Sequence, residues 1–380
     1  MRRLLFSAVF VAFALCALAQ DRAADVQTAF ARAQHLRHGI NASIWFAQHP
    51  MDYSATYTDH ETTPEDIAIM AKLGFDHVRL SVDAEPLTRA FNGWGHGDFL
   101  VRLDKAVDEI TSAGMAVIVD VHPEDNYKQA LRTDAGAVDR FVMLWQRLAT
   151  HFGGRDPNLV FFEILNEPEV YDPYRWDGIQ ARAAAAIRAA APRHTIIAAG
   201  PNYSDIPDLF TVHPLDDGNV IYNFHFYDPH EFTHQGAAWG TPFWVYEHDI
   251  PYPATEDTMA DRLKQIPEPS GRYQLENYWL DHWDAHRIKL LMDEAAAWGK
   301  ANNVPLTCNE FGVYRAHVDP VSRNNWIRDV RTALEADGIG WAMWDYHNGF
   351  GVAVKDKNGK SIVDPQTVEA LGLAKAGNRE

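Results

Sequence analysis

Hydrophobic residues along the chain follow two alternating patterns. Short runs of apolar, β-branched and aromatic residues are typical of buried strands. Such runs occur near residues 38–45, 76–82, 115–122, 158–165, 194–199, 219–227, 304–310 and 339–345. Between them, apolar residues recur at the three- and four-residue spacing of amphipathic helices, as at Leu103, Val107 and Ile110. Eight strands alternating with helices predict a single α/β domain with the (β/α)8 TIM-barrel fold.

An open, doubly wound parallel sheet would also alternate strands with helices. That fold commonly binds dinucleotides through a glycine-rich turn after its first strand, and no such turn follows residues 38–45. The closed barrel is therefore the preferred prediction. An alanine-rich stretch at residues 20–37 predicts a further helix that leads into the first strand.

The connection after the sixth predicted strand is unusually long. Residues 228–281 show no strong periodicity and are rich in proline, tryptophan and tyrosine. Connections of this length in compact domains are usually functional. We expect this aromatic-rich loop to rise over the C-terminal end of the barrel as a wall of a substrate cleft. The alternative is a loop that packs on its own aromatic residues.

The start of the chain has the pattern of a signal peptide. Arg2 and Arg3 precede an apolar run that ends in Ala17-Leu18-Ala19, a small-residue cleavage site. We therefore predict a signal peptide at residues 1–19 and one mature catalytic domain at residues 20–380. The mature protein is expected in the extracellular space or the periplasm, with no membrane attachment after cleavage.

The formal net charge of −18 disfavours nucleic acids and anionic membranes as partners. One of the two cysteines, Cys16, lies in the predicted signal peptide. Cys308 then has no partner for an intramolecular disulfide, so a large hydrophobic core must supply the stability. We expect a monomer whose substrate is a neutral or cationic molecule.

A glutamate lies at the C-terminal end of two of the predicted strands. Asn166-Glu167-Pro168 follows the fourth strand, and the proline ends the strand because it cannot donate to the sheet. Asn309-Glu310 ends the seventh strand in the same way. The C-terminal ends of barrel strands lie on one face, where ligands bind. Two carboxyl groups at that face are what glycoside hydrolysis requires.

Further polar residues end other predicted strands. Arg79 ends the second strand, His122 the third, and Trp344 the eighth, while His225 and Tyr227 share a face of the sixth. A single polar residue in a strand is more often a hydrogen-bonded packing residue than a ligand-binding one. Six strand ends that converge on polar and aromatic residues are hard to explain by packing alone.

This ordered set of motifs resembles glycoside hydrolase family 5, the cellulase-containing family, over nearly the whole mature chain. The motifs are Gly39-Ile40-Asn41, Val78-Arg79-Leu80, Asp120-Val121-His122, Asn166-Glu167-Pro168, His225-Phe226-Tyr227, Asn309-Glu310-Phe311-Gly312 and Trp341–Trp344. The resemblance implies a (β/α)8 barrel whose catalytic residues are Glu167 as the acid/base and Glu310 as the nucleophile. It also implies that Asn166 holds the 2-hydroxyl of the sugar.

The same resemblance implies roles for the remaining site residues. Arg79 and Tyr227 would keep the nucleophile ionised, because a cation and a hydroxyl donor lower the pKa of a carboxyl group. His122 and His225 would bind sugar hydroxyls or orient the acid/base. Trp344 would stack under the sugar at the cleavage point. A retaining mechanism with carboxyl groups roughly 5–5.5 Å apart is expected, and no cofactor or metal is implied.

The resulting prediction is a secreted retaining β-glycoside hydrolase, an endo-β-1,4-glucanase that acts on a polysaccharide or oligosaccharide. A β-mannanase or an exo-acting β-glucosidase or glucanase of the same family is the alternative. A non-catalytic carbohydrate-binding barrel and a metal-dependent hydrolase are alternatives of other classes. Candidate stacking platforms for neighbouring sugars are Trp45, Trp94, Trp176, Trp239 and Trp244.

Overall fold

The computed structural model describes residues 22–48, 53–94 and 98–373. Eight parallel strands close into a barrel in sequence order, with β1 paired to both β2 and β8. The strands are β1 (His38–Phe46), β2 (His77–Val82), β3 (Ala116–Val121), β4 (Val160–Glu163), β5 (Ile196–Ala199), β6 (Val220–Phe226), β7 (Leu306–Phe311) and β8 (Gly340–Met343). The predicted (β/α)8 barrel is confirmed, and the open sheet is excluded.

Helices occupy the connections between the strands. The first nine are α1 (22–33), α2 (Ala55–Glu61), α3 (Pro64–Leu73), α4 (Ala84–Phe91), α5 (Phe99–Ser112), α6 (Asp125–Thr133), α7 (Ala135–Phe152), α8 (Pro173–Ala190) and α9 (Ile206–Leu209). The last six are α10 (His230–Thr233), α11 (Glu256–Met259), α12 (Pro269–Leu280), α13 (Ala285–Asn302), α14 (Pro320–Ala336) and α15 (Pro365–Ala370). A short hairpin of β9 (Ala353–Lys355) and β10 (Ser361–Val363) follows the barrel.

The inside of the barrel is apolar at its N-terminal end and polar at its C-terminal end. A small apolar cluster fills the N-terminal end and includes Ile118, Phe161 and Ile221. Side chains two positions apart on a strand point to the same face. The next inward positions are therefore Asp120, Glu163 and Asn223, which are also buried. Polar strand ends thus converge inside the barrel mouth, above a packed apolar layer.

The connection between β6 and α13 is a folded insertion rather than an irregular loop. It contains α10, α11, α12 and two short 3-10 helices, Trp244–Tyr246 and Leu263–Gln265. The twelve-residue α12 was not predicted, because its buried side is only the narrow stripe of Gly271, Leu275 and Tyr278. Buried apolar residues of the insertion, including Ile250, Met259 and Leu275, belong to the same hydrophobic cluster as the barrel core, so the insertion packs on the barrel rather than around a separate core of its own.

No helix in the described ranges is long and apolar enough to cross a membrane. The predicted signal peptide, residues 1–19, lies outside the described residues.

Candidate active site

Glu167 and Glu310 lie together at the mouth of the barrel. Glu310 is in β7 and nearly fully buried, whereas Glu167 follows β4 and has a side chain 25% exposed. One carboxylate oxygen of each residue and a ring nitrogen of His225 all lie within 4.8 Å of one another. The two predicted catalytic carboxyl groups are therefore close enough to act on one bond.

Both carboxylate oxygens of Glu310 accept hydrogen bonds. Arg79 Nη1 donates to Oε1 at 2.6 Å, and the Tyr227 hydroxyl donates to Oε2 at 2.8 Å. Burial raises the pKa of Tyr227 well above its ordinary value, and the neighbouring carboxylates raise it further. The phenol therefore stays protonated as a donor. A guanidinium and a hydroxyl donor both favour the ionised carboxylate over the acid.

Glu167 has a different environment. Its Oε1 lies 3.0 Å from His225 Nδ1, and within the described parts of the chain no Lys or Arg forms an ion pair with it. Burial lowers the pKa of His225 to about 4, so this imidazole is neutral at neutral pH. Glu167 therefore has a partner that can hydrogen-bond either its protonated or its ionised form.

Asn166 is oriented by partners on both sides. Its Oδ1 accepts from Arg79 Nη2 at 2.9 Å, and its Nδ2 lies 3.1 Å from His122 Nε2. Burial lowers the pKa of His122 to about 3. The neutral ring donates from Nδ1 to Asp120 Oδ2 at 2.9 Å and accepts from the Asn166 amide at Nε2. One amide N–H of Asn166 is left for a ligand.

Trp344 borders the same opening. It follows β8 and is partly exposed. Its ring stacks on His122 with centroids 5.9 Å apart and an interplanar angle of 20°. All eight residues of the predicted site are therefore brought to one end of the barrel.

Sequence reasoning did not assign a role to Glu163. This fully buried carboxylate in β4 accepts from Arg79 Nε at 2.9 Å and Arg79 Nη2 at 2.7 Å. It also accepts from Asn309 Nδ2 at 2.6 Å and Asn223 Nδ2 at 3.3 Å. The sequence feature that could have indicated this role is an acid inside the apolar run of residues 160–165. A buried carboxylate requires a cation or several hydrogen-bond donors nearby.

Arg79 forms ion pairs with three carboxylates. It is fully buried and contacts Glu163, Glu310 and Asp120, with Asp120 Oδ2 at 3.1 Å from Nη2. Burial opposes its charge, but the three carboxylates outweigh this and raise the pKa of Arg79. Burial raises the pKa of Asp120 to about 6, against the effect of Arg79. One cation thus stabilises a locally acidic pocket.

Comparison with known proteins assigns the family. The family model for cellulase (glycosyl hydrolase family 5) matches residues 40–350. The chain belongs to glycosyl hydrolase family 5. Endoglucanase C of Acetivibrio thermocellus is 30% identical over 316 residues, 81% of this chain and 90% of that one. Cellodextrinase A of Ruminococcus flavefaciens is 35% identical over 317 residues, 79% of this chain and 82% of that one.

A solved structure of a family relative shows the same architecture. Thermotoga maritima Cel5A in complex with mannotriose is 26% identical, has a TM-score of 0.71, and is matched over 90% of this chain and 99% of that one. This family 5 protein is therefore a glycoside hydrolase with a TIM-barrel fold.

The five tryptophans predicted as stacking platforms in this glycoside hydrolase divide into two groups. Trp45 and Trp176 are buried, and their indole N–H groups donate to backbone carbonyls of residues 58 and 199. Their prediction as sugar platforms is wrong, because both rings belong to the core. Trp94 and Trp239 are 71% and 49% exposed, and Trp244 is half-buried against His230.

Proposed function

We propose that this protein is a retaining β-glycosidase with Glu310 as the nucleophile and Glu167 as the acid/base. The observation that carries this proposal is the asymmetry between two neighbouring carboxyl groups. Glu310 accepts hydrogen bonds from Arg79 and Tyr227, which favour its anion, whereas the side-chain hydrogen bond of Glu167 within the described part of the chain is to the neutral His225. The oxygens lie within 4.8 Å, a distance that suits direct attack better than the wider spacing needed for an intervening water.

The reaction follows from this arrangement. Glu310 attacks the anomeric carbon, and the glycosidic C–O bond breaks as Glu167 transfers its proton to the leaving oxygen. A glycosyl ester on Glu310 results. Water then attacks the anomeric carbon of that ester while Glu167, now ionised, takes a proton from the water. The bond between the anomeric carbon and Glu310 breaks, so Glu310 leaves as a carboxylate, Glu167 is protonated again, and the sugar is released. In this proposal the free N–H of Asn166 holds the sugar 2-hydroxyl, and Trp344 stacks against the ring.

The substrate we propose is a β-1,4-linked glucan cleaved internally, and the enzyme is exported by its signal peptide. Support comes from relatives named endoglucanase. The relative named cellodextrinase favours short oligosaccharides as a second candidate. The mannotriose complex of a family relative makes mannans worth testing in the same assay.

The test is reducing-end release by residues 20–380 on a cellulose derivative, mixed-linkage β-glucan, glucomannan, galactomannan, xylan and xyloglucan. We expect activity on the glucans that falls by more than roughly 10³-fold in Glu310→Gln, because the nucleophile is lost. Glu65→Gln, at an exposed site on α3, is the matched control and should retain activity. Polysaccharide binding by inactive Glu310→Gln should persist.

Other outcomes would select the alternatives. Wild-type protein that binds glucans without cleaving them would support the non-catalytic barrel. Activity lost to a chelator would support a metal-dependent hydrolase, for which Glu167, His225 and Glu310 offer three ligand atoms. NMR of the first product should show the β-anomer, and an initial α-anomer would contradict retention.

A further inference from the structure

A cleft separate from the active site lies beside the short hairpin that follows the barrel. Its volume is about 390 Å³, and it is bordered by β9 and β10, by the connection from β7 to α14, and by the first turns of α14 and α15. None of the residues assigned to the active site lines it. Pockets of about 300–1,000 Å³ can hold a small organic molecule, so this cleft is a candidate binding site that glycoside hydrolysis does not use.

Part of the cleft wall is apolar and open to solvent. Val354 of β9 and Ile362 of β10 are paired across the hairpin, and they are 44% and 55% exposed. Val318 and Pro320, from the connection to α14 and its first residue, line the same cleft. Because polar residues usually occupy the solvent side of an antiparallel pair, the apolar pair indicates a surface that the apolar groups of a ligand would cover.

A buried arginine supplies positive charge at this cleft. Arg323 of α14 lines the cleft and is only 3% exposed. Its guanidinium group donates to the backbone carbonyls of Val313, Phe350 and Gly351 and, at 2.6 Å, to the hydroxyl of Thr367. All four acceptors are neutral, and no carboxylate in the described part of the chain forms an ion pair with this arginine. Since a guanidinium group has five N–H donors, one donor and the unpaired charge remain for a ligand.

A second arginine adds to this charge. Arg315 lines the same cleft, and its Nη2 lies 3.3 Å from Oδ2 of Asp364, the only acid among the described lining residues. Asp364 also caps α15 by accepting from the backbone N–H groups of Gln366 and Thr367. Burial, and then the neighbouring Arg315, lowers the pKa of Arg323 to about 9, which reflects the cost of burying a cation without a paired anion. Two guanidinium groups thus share one carboxylate, so the cleft is positive in a protein of net charge −18.

We propose that this cleft binds a small organic monocarboxylate with an apolar body, such as an arylalkanoate. The carboxylate of the ligand pairs with Arg323 and Arg315, and charge-assisted hydrogen bonds of this kind are stronger than neutral ones. The apolar body covers Val354 and Ile362 and removes their surface from water. A neutral sugar would gain no ion pair here, so the ligand class differs from that of the active site.

The test is isothermal titration calorimetry of the protein with 3-phenylpropionate. The alcohol 3-phenylpropan-1-ol, which has a similar shape and no charge, is the comparison ligand. We expect saturable binding of one phenylpropionate with a dissociation constant of about 0.1–1 mM, as is usual for a ligand of this size. The alcohol should bind at least about tenfold more weakly, because it cannot form the ion pair. Equal affinity for the two ligands, or no saturable binding of phenylpropionate, would overturn the proposal.

Variants of the lining locate the bound ligand. Arg315→Gln removes a cation, and Ile362→Glu adds an anion at an exposed position, so each should weaken phenylpropionate binding by about fivefold or more. Lys357→Gln, in the exposed turn of the same hairpin, and Val321→Glu, at a 65% exposed position of α14, make the same charge changes outside the cleft. These controls should change the affinity less than twofold.

The thermal unfolding midpoint of each variant shows whether it is folded. Arg323→Gln is not used, because its guanidinium group holds three backbone carbonyls and its loss would disturb the fold. If either cleft variant folds and binds phenylpropionate as tightly as the wild type, the ligand lies elsewhere and the proposal is wrong. Equal losses in the cleft variants and their controls would show an effect of net charge alone and would also overturn it.

Discussion

At the scale of single residues, the site is organised by the sharing of Arg79 among three buried carboxylates. Glu163 accepts two hydrogen bonds from Arg79, and Glu310 accepts one at 2.6 Å. Because Glu163 neutralises much of the guanidinium charge, Arg79 stabilises the anion of Glu310 less strongly than a cation paired with Glu310 alone would. The reactivity of Glu310, the proposed nucleophile, therefore depends on a residue that is too deeply buried to touch substrate.

The first prediction concerns Glu163→Gln. The two oxygens of Glu163 accept four hydrogen bonds. A glutamine side chain has one accepting oxygen, and its NH2 group would face the remaining donors. We expect the free energy of unfolding to fall by about 3 kcal/mol, which is typical when one partner of a buried ion pair is removed. Denaturant titration monitored by fluorescence would measure the loss.

The folded fraction of the Glu163→Gln protein should also show an altered dependence of kcat/KM on pH. With less negative charge beside Arg79, the guanidinium should stabilise the carboxylate of Glu310 more strongly, so the acidic limb of kcat/KM should move to lower pH by about one unit. Glu167→Gln is the stability control, because the Glu167 side chain is 25% exposed and, among the residues that the structure describes, hydrogen-bonds to His225. If the two variants lost equal stability, or if the acidic limb stayed in place, the proposed sharing of charge would be wrong.

At the scale of elements, the insertion between β6 and α13 contains an unusual buried acid. Glu247 is fully buried, and neither of its carboxyl oxygens has a hydrogen-bond partner among the residues that the structure describes. Burial, and to a smaller extent the nearby carboxyl group of Glu231, raises the pKa of Glu247 to about 9. At neutral pH the folded protein therefore carries a proton on Glu247 that the unfolded chain has released.

The second prediction is that this acid makes the protein sensitive to alkaline pH. Because the pKa is higher in the folded state, the unfolded state binds fewer protons above pH 4.5, so stability falls as pH rises towards 9. Glu247→Gln removes this effect. Its free energy of unfolding relative to wild type should increase by about 2 kcal/mol between about pH 7 and about pH 9.

Urea denaturation of both proteins at several pH values would measure that difference. Glu256→Gln, at an exposed position of α11 in the same insertion, should show no such trend and serves as the control. A constant difference between Glu247→Gln and wild type across this range would mean that Glu247 is ionised in the folded protein.

At the scale of the whole molecule, the formal net charge of −18 affects polymeric substrates according to their own charge. A neutral glycan has no long-range attraction to or repulsion from the protein. Carboxymethyl-cellulose is an anion, and an acidic protein repels it over distances that salt shortens from about 10 Å at 0.1 M to about 3 Å at 1 M.

The third prediction is therefore a substrate-dependent salt effect. Raising NaCl from about 0.02 M to about 0.5 M should increase kcat/KM severalfold on carboxymethyl-cellulose and change it less than twofold on mixed-linkage β-glucan. Initial rates at low substrate concentration would measure both values. Equal salt responses on the two polymers would show that the local charge of the cleft, rather than the net charge of the protein, controls the rate of association with the substrate.

What the sequence alone determined is the barrel and the residues at its strand ends. Strand and helix periodicities are local, and parallel strands in a barrel bring their C-terminal ends to one face whatever lies between them. Glu167 and Glu310 could therefore be placed together although they lie far apart in the chain.

Only the tertiary structure decided how side chains meet across the barrel. The pairing of Arg79 with Glu163 depends on how the strands are aligned after closure, and no local pattern encodes it. The burial of Trp45 and Trp176 depends on the helices that cover them. Arg323 and Ile362 border one cleft only because the fold brings α14 next to the β9–β10 hairpin. Contacts between residues distant in the chain require the folded barrel, because their energies depend on three-dimensional distance rather than on sequence spacing.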